Sequence, residues 1–209
     1  MVDFVGEEKA VGLLDAPVEA FKAALYTEAV EKAHYIPEVS RKNEGFLTSG
    51  QVNYVCRAGN FRKSGLKYTG ALRVLKVMLG YEYLWVNVRV KGGAYGCMCS
   101  FGRSGDSYFV SYRDPNLGRT IDIYEKAADA IAEFTADERT MTQYIIGAVS
   151  DLDVPMNPAA KGLYSLSAYM TGLDDAALQR EREELLSATV EDIRALSAHI
   201  RAFMQEDLL

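Results

Sequence analysis

The chain has 209 residues, 49% hydrophobic and 25% charged, the balance of a folded globular protein with one domain as the prior and two as the limit. Its 23 basic residues against 29 acidic ones leave a formal charge of −6, which argues against a nucleic-acid coat, and no apolar run reaches the roughly 18 to 20 residues of a membrane span. The acidic start lacks a signal-like apolar core, and three cysteines are too few and odd for a disulfide framework, so the composition predicts a cytoplasmic protein in a reducing compartment.

The N-terminal segment has its own texture. An Ala-rich run from Val18 to Ala33 predicts a helix after Pro17, and the polar stretch Glu38 to Glu44 predicts a connector. Residues 1–42 therefore read as N-terminal helix and connector, ahead of a domain over 43–209. Val52, Tyr54 and Cys56 alternate with Asn53, Val55 and Arg57, a strand with one wetter face that ends at Gly59-Asn60. Leu66 to Leu79 is apolar nearly all round, with Leu72, Leu75 and Leu79 at helical spacing, and predicts a buried helix stopped by Gly80. Tyr83 to Val90 is ambiguous between strand and helix. Tyr95 to Gly102 and Ser107 to Arg113 predict a hairpin joined by Arg103-Ser104-Gly105-Asp106. Asp114-Pro115-Asn116 predicts a turn that caps a helix from about Leu117 to Phe134, and helices follow from Asp137, Pro158, Asp174 or Asp175, and Thr189. In the last of these Val190, Ile193, Leu196, Ile200 and Met204 form one stripe. This order predicts an α+β fold, a mostly antiparallel sheet with helices packed on one face.

Little in the chain spells out chemistry by itself. The two histidines, His34 and His199, stand in no metal-binding spacing, and neither G-x-S-x-G nor a Cys/His pair marks a nucleophile. Asp151 and Asp153 read as a helix end before Pro155 rather than a cation site. Cys97 and Cys99 share a strand face; packing is the plainer reading, metal or redox use the rival. The stretch Lys91-Gly92-Gly93-Ala94-Tyr95-Gly96 matches no phosphate-loop pattern. It does set Arg89 six residues before Tyr95, across glycines that let backbone approach another chain. A guanidinium with five donors and a phenol both suit carbonyl oxygens or a developing oxyanion. The structural alternative is a surface salt bridge for Arg89 and a half-buried core position for Tyr95.

Longer runs carry a resemblance. N-E-G-F from Asn43, Q-V-N-Y-V from Gln51, Y-T-G-A-L-R-V-L from Tyr68, Y-L-W-V-N-V-R-V-K-G-G-A-Y-G from Tyr83 and S-Y-R-D-P-N-L from Ser111 stand in consistent order. Tyr144-Ile145-Ile146-Gly147, Ser150-Asp151-Leu152-Asp153 and Ser165-Leu166-Ser167-Ala168-Tyr169 continue them. Together, over about Asn43 to Leu196, they closely resemble the C-terminal domain of presequence-protease-type zinc metallopeptidases, within the pitrilysin and insulinase superfamily, the inverzincins. The resemblance implies that superfamily's fold, shared with the mitochondrial processing peptidase. It further implies a parent peptidase whose two halves close around an unfolded peptide, with zinc held by H-x-x-E-H in the N-terminal half. That motif is absent here, so the resemblance implies no metal ligand in this chain and no activity for it alone.

By the same resemblance, Tyr95 is implied to hydrogen-bond the scissile carbonyl and its oxyanion, and Arg89 to hold nearby substrate backbone. Gly92 and Gly93 would permit the turn that sends both to one side, with Leu84 and Trp85 as packing that fixes the Arg89 backbone. The implied partners are the N-terminal half of the parent and unfolded peptides, with neither nucleic acid nor membrane. The rival is a catalytically silent peptide-binding or scaffold subunit of the same fold. For Ser111 to Leu117 a hairpin end and helix cap suffice.

Overall fold

The computed structural model describes residues 2–36, 47 and 49–205, in two compact units, Met1–Ser40 with Pro155–Asp175 and Arg41–Val154 with Ala176–Leu209. In chain order the elements are α1 (Glu8–Val11), α2 (Asp15–Ala23), β1 (Asn53–Asn60), a 3-10 turn (Phe61–Ser64), α3 (Ala71–Met78) and a π-helix (Leu79–Val90). They continue with β2 (Gly96–Phe101), β3 (Asp106–Asp114), α4 (Gly118–Glu125), α5 (Ala127–Ala132), α6 (Glu138–Leu152), α7 (Pro158–Thr171), α8 (Asp175–Leu186), α9 (Val190–Ala195) and α10 (Ser197–Gln205).

In the first unit α1, α2 and α7 bury no residue. The helix expected over Val18 to Ala33 is α2, which starts before Pro17 and stops at Ala24. Proline in a first turn loses no intrahelical bond, whereas a helix without a buried face has only propensity to extend it. The connector expected at Glu38 to Glu44 lies outside the described residues. Asn157 caps α7 through Ala160 N–H at 2.8 Å, with Pro158 at its start.

The second unit is α+β. Its antiparallel sheet runs β1-β3-β2, with Val55 opposite Ser111 and Cys97 opposite Ser111 on the other side. Period-2 alternation turns Val55, Phe109, Cys99 and Phe101 into the core, while Tyr54, Met98 and Tyr108 on the opposite face stay exposed. Helices cover the inner face: Phe109 meets Phe203 of α10 edge-on at 5.3 Å and Tyr124 of α4 at 5.5 Å. Leu72, Leu75, Leu79, Leu84 and Val88 complete the core with Ile131, Ile193 and Ile200. The Arg57 guanidinium of β1 donates to the Met204 carbonyl near the end of α10.

Four helix boundaries in this unit differ from expectation. The helix predicted from Leu66 begins at Ala71, because the Glu184 carboxylate of α8 takes Thr69 Oγ1 at 2.9 Å and Gly70 N at 2.8 Å, fixing the start. Gly80 does not stop it. The chain runs straight on as the π-helix, which settles Tyr83 to Val90 as helical, because Leu84 and Val88 gain burial on the same side as Leu79. The helix predicted over 117–134 is interrupted at Lys126, and the last one at Leu196. Thr189 does cap α9, in a reciprocal pair with Asp192. The hairpin turn is tied to α8 by Arg103, whose guanidinium grips Glu181 at 2.7 to 2.9 Å.

Candidate functional site

Arg89 and Tyr95 are brought together. The last turn of the π-helix carries Arg89, whose Nη1 donates to the Tyr95 carbonyl. Its guanidinium carbon lies 4.3 Å from the centre of the Trp85 ring and 5.6 Å from that of Tyr95, within cation–π range of both. Tyr95 is 57% exposed, so its phenol faces solvent rather than the core, and Arg89 is half-buried. The alternative of a core tyrosine does not hold. Neither does Trp85 act as packing beneath the Arg89 backbone: it is 43% exposed and stacks on the side chain, whereas Leu84 is the buried anchor at 0%.

The glycines shape the connection. A Cβ on Gly92 would stand 2.3 Å from the Val88 carbonyl oxygen, so the chain closes over the helix end only without a side chain. Gly93 has φ of 83°, in the left-handed region that glycine alone enters freely. Gly93 N–H donates to Arg89 O at 2.8 Å and Ala94 N–H to Val88 O at 3.2 Å, ending the helix and handing Tyr95 to the sheet.

The Ser111–Leu117 run has a larger part than a hairpin end. Asp114 is fully buried. Its carboxylate accepts from Ser111 Oγ at 2.6 Å, Thr120 Oγ1 at 2.7 Å and Asn116 N–H at 2.8 Å. It reaches α4 through Thr120 rather than by capping it, since the N-cap position is Leu117 and makes no side-chain cap. Asn116 Nδ2 donates to Gly92 O at 2.6 Å, Tyr95 N–H to Arg113 O at 3.3 Å, and the Tyr112 ring sits 5.6 Å from that of Tyr95. Sequence reasoning missed these partners. Alternation gave no signal for it: Ser107, Phe109 and Ser111 face inward, Asp114 falls on the opposite parity, and its burial comes with the break in the pattern at Arg113.

No group of three His, Cys, Asp or Glu side chains suited to a metal occurs among the described residues. Cys97 and Cys99 face the core side, and burial pushes their thiols up to about 11 and about 12, unfavourable for metal-binding thiolates. Asp151 pairs with Lys76 at 3.4 Å, and Asp153 takes two bonds from Arg182 at 2.6 and 2.7 Å, as carboxylates at a helix end do. His34 is exposed. His199 is half-buried, with Nε2 2.9 Å from Lys67 O and its ring edge-on to Phe61.

Comparison with known proteins gives the chain its relatives. The family model described as "PreP C-terminal domain" matches residues 43–206. Protein HypA of Clostridium perfringens is 40% identical over 209 residues, all of this chain and 22% of its own length. Presequence protease 1, chloroplastic/mitochondrial, of Arabidopsis thaliana is 40% identical over 154 residues, 73% of this chain and 14% of its own. The mitochondrial presequence protease of Eremothecium gossypii is 30% identical over 155 residues, 70% of this chain and 15% of its own. The chain thus spans between 14% and 22% of the length of these relatives. It belongs to the family of presequence protease C-terminal domains.

Proposed function

We propose that this chain works as the C-terminal, zinc-free domain of a peptide-degrading metalloendopeptidase. It closes the substrate chamber and lends Arg89 and Tyr95 to the peptide being cut. The juxtaposition of an exposed phenol and a guanidinium at one rigid turn supports this most directly. Tyr95 O–H donates to the scissile carbonyl and to the oxyanion that develops from it, and the remaining Arg89 donors hold adjacent peptide carbonyls. On this reading zinc and the general base belong to the N-terminal half of the parent, and the chain alone is inactive. Splitting the machinery between halves makes the site complete only on closure around an unfolded peptide.

No helix of the described residues is long and apolar enough to cross a membrane. Composition led to the expectation of a cytoplasmic setting, whereas the Arabidopsis and Eremothecium relatives are named for chloroplasts and mitochondria. The test is the parent peptidase carrying Tyr95→Phe, assayed on unstructured peptides. Loss of one oxyanion donor lowers turnover about 100- to 1,000-fold. Wild-type turnover refutes the role, and a parent inactive even with native Tyr95 marks the silent peptide-binding scaffold instead.

A further inference from the structure

We propose that Arg113 is a positioning residue for Tyr95, an inference that rests on the role proposed for Tyr95. Arg113 has φ of 48°, the sole positive-φ residue other than glycine among the described residues. A side chain with a Cβ enters that region rarely, and such outliers persist where surrounding structure imposes them. Here the imposing structure is visible. Asp114 is locked in the core by Ser111, Thr120 and the Asn116 N–H, which forces the chain to turn sharply at Arg113.

That turn aims two parts of Arg113 at the same neighbour. Its carbonyl accepts the Tyr95 N–H at 3.3 Å, and its guanidinium carbon lies 5.5 Å from the Tyr95 ring centre. With Arg89 at 5.6 Å and Tyr112 at 5.6 Å, the ring has two cations and one aromatic around it. Asn116 holds the other end of the connection through Gly92 O, so the segment Tyr112 to Asn116 grips the Arg89–Tyr95 turn at both ends. An exposed tyrosine otherwise spreads over several rotamers. Contacts that hold one of them meet the ordering cost before substrate arrives.

The parent peptidase is compared as Arg113→Gln, Arg113→Lys, Tyr95→Phe and the double variant Arg113→Gln with Tyr95→Phe. Arg113→Gln lowers kcat about three- to tenfold with KM little changed, and Lys restores part of it. In the Tyr95→Phe background Arg113→Gln has no further effect, because Arg113 acts through the phenol. Multiplying effects overturn the inference, as does unchanged turnover in Arg113→Gln when Tyr95→Phe is impaired. Wild-type turnover in Tyr95→Phe instead removes the functional reading and this inference with it. The contact is read independently in the 209-residue chain by NMR: Tyr95 ring resonances shift in Arg113→Gln and Arg113→Lys but not in the exposed control Arg119→Gln. Unshifted resonances in a folded variant also overturn it.

Discussion

Replacing Asp114 with alanine tests whether the platform beneath the candidate site is set by one buried carboxylate. The carboxylate takes three hydrogen bonds at 2.6, 2.7 and 2.8 Å, and Ser111 and Thr120 on the other side of two of them are 0% and 1% exposed. Truncation leaves both hydroxyls and the Asn116 N–H to find other partners where water has little access. Each orphaned group costs about 1–3 kcal/mol, so the three together, with partial re-pairing, cost about 3–5 kcal/mol. For a chain of this size that lowers the melting temperature by roughly 6–20 °C. Asp114→Asn keeps the shape and two acceptor lone pairs, so it costs less, about 1–2 kcal/mol. Urea unfolding followed by circular dichroism, with calorimetry for the melting temperature, measures both. A loss below about 1 kcal/mol for Asp114→Ala refutes the argument, since it means the neighbouring groups re-pair without the carboxylate.

Other expectations concern the turn, the thiols and acid. Gly92→Ala drives a methyl against the Val88 carbonyl, and Gly93→Ala occupies a left-handed φ; each destabilises by about 1–3 kcal/mol in thermal unfolding, and neutral behaviour contradicts the close approach. At pH 8, with Cys97 near 11 and Cys99 near 12, roughly one thiol in a thousand and one in ten thousand is ionised, so an alkylating reagent followed by mass spectrometry modifies exposed Cys56 first. Labelling of Cys97 as fast as Cys56 contradicts its burial. Hydrogen bonds from Arg182 hold the Asp153 carboxyl below its ordinary 3.8, as Ser104 with Asn60 does for Asp106 and Thr140 for Asp137. Folded values below unfolded ones give stabilisation that is complete above about pH 4 and is lost as pH falls through the folded values. Asp153→Asn therefore flattens the acid limb of stability against pH, and an unchanged limb shows the pair contributes nothing.

The fold was legible where one periodicity dominates. Alternation at Asn53 to Arg57 and from Tyr95 to Arg113 marked all three strands, and Asp137, Pro158 and Thr189 marked helix starts through local cap chemistry. What failed depended on partners distant in sequence. The start of α3 is set by Glu184, more than a hundred residues away, and the extent of α2 by the want of a buried face. Arg89 and Tyr95 were singled out by their six-residue spacing across Gly92 and Gly93 and by resemblance. Arg113 and Asp114 were not, since their meaning comes from strand register and burial. Trp85 illustrates the limit: an aromatic in an apolar run reads as core, and only geometry shows it lying under a cation.

The wide helix before the site has a mechanical corollary. Lys91 N–H reaches back five residues to Val86 O at 3.0 Å, one more than the ordinary step, so the segment is underwound relative to α3 with which it is continuous. Rewinding it to the ordinary pitch swivels its final turn about the axis and carries the guanidinium of Arg89 away from the Tyr95 ring it now lies over. The azimuth of that guanidinium is thus a function of helical pitch. Any force that tightens or loosens the coil from the Leu79 end is delivered, as torque, to the side chain at the other.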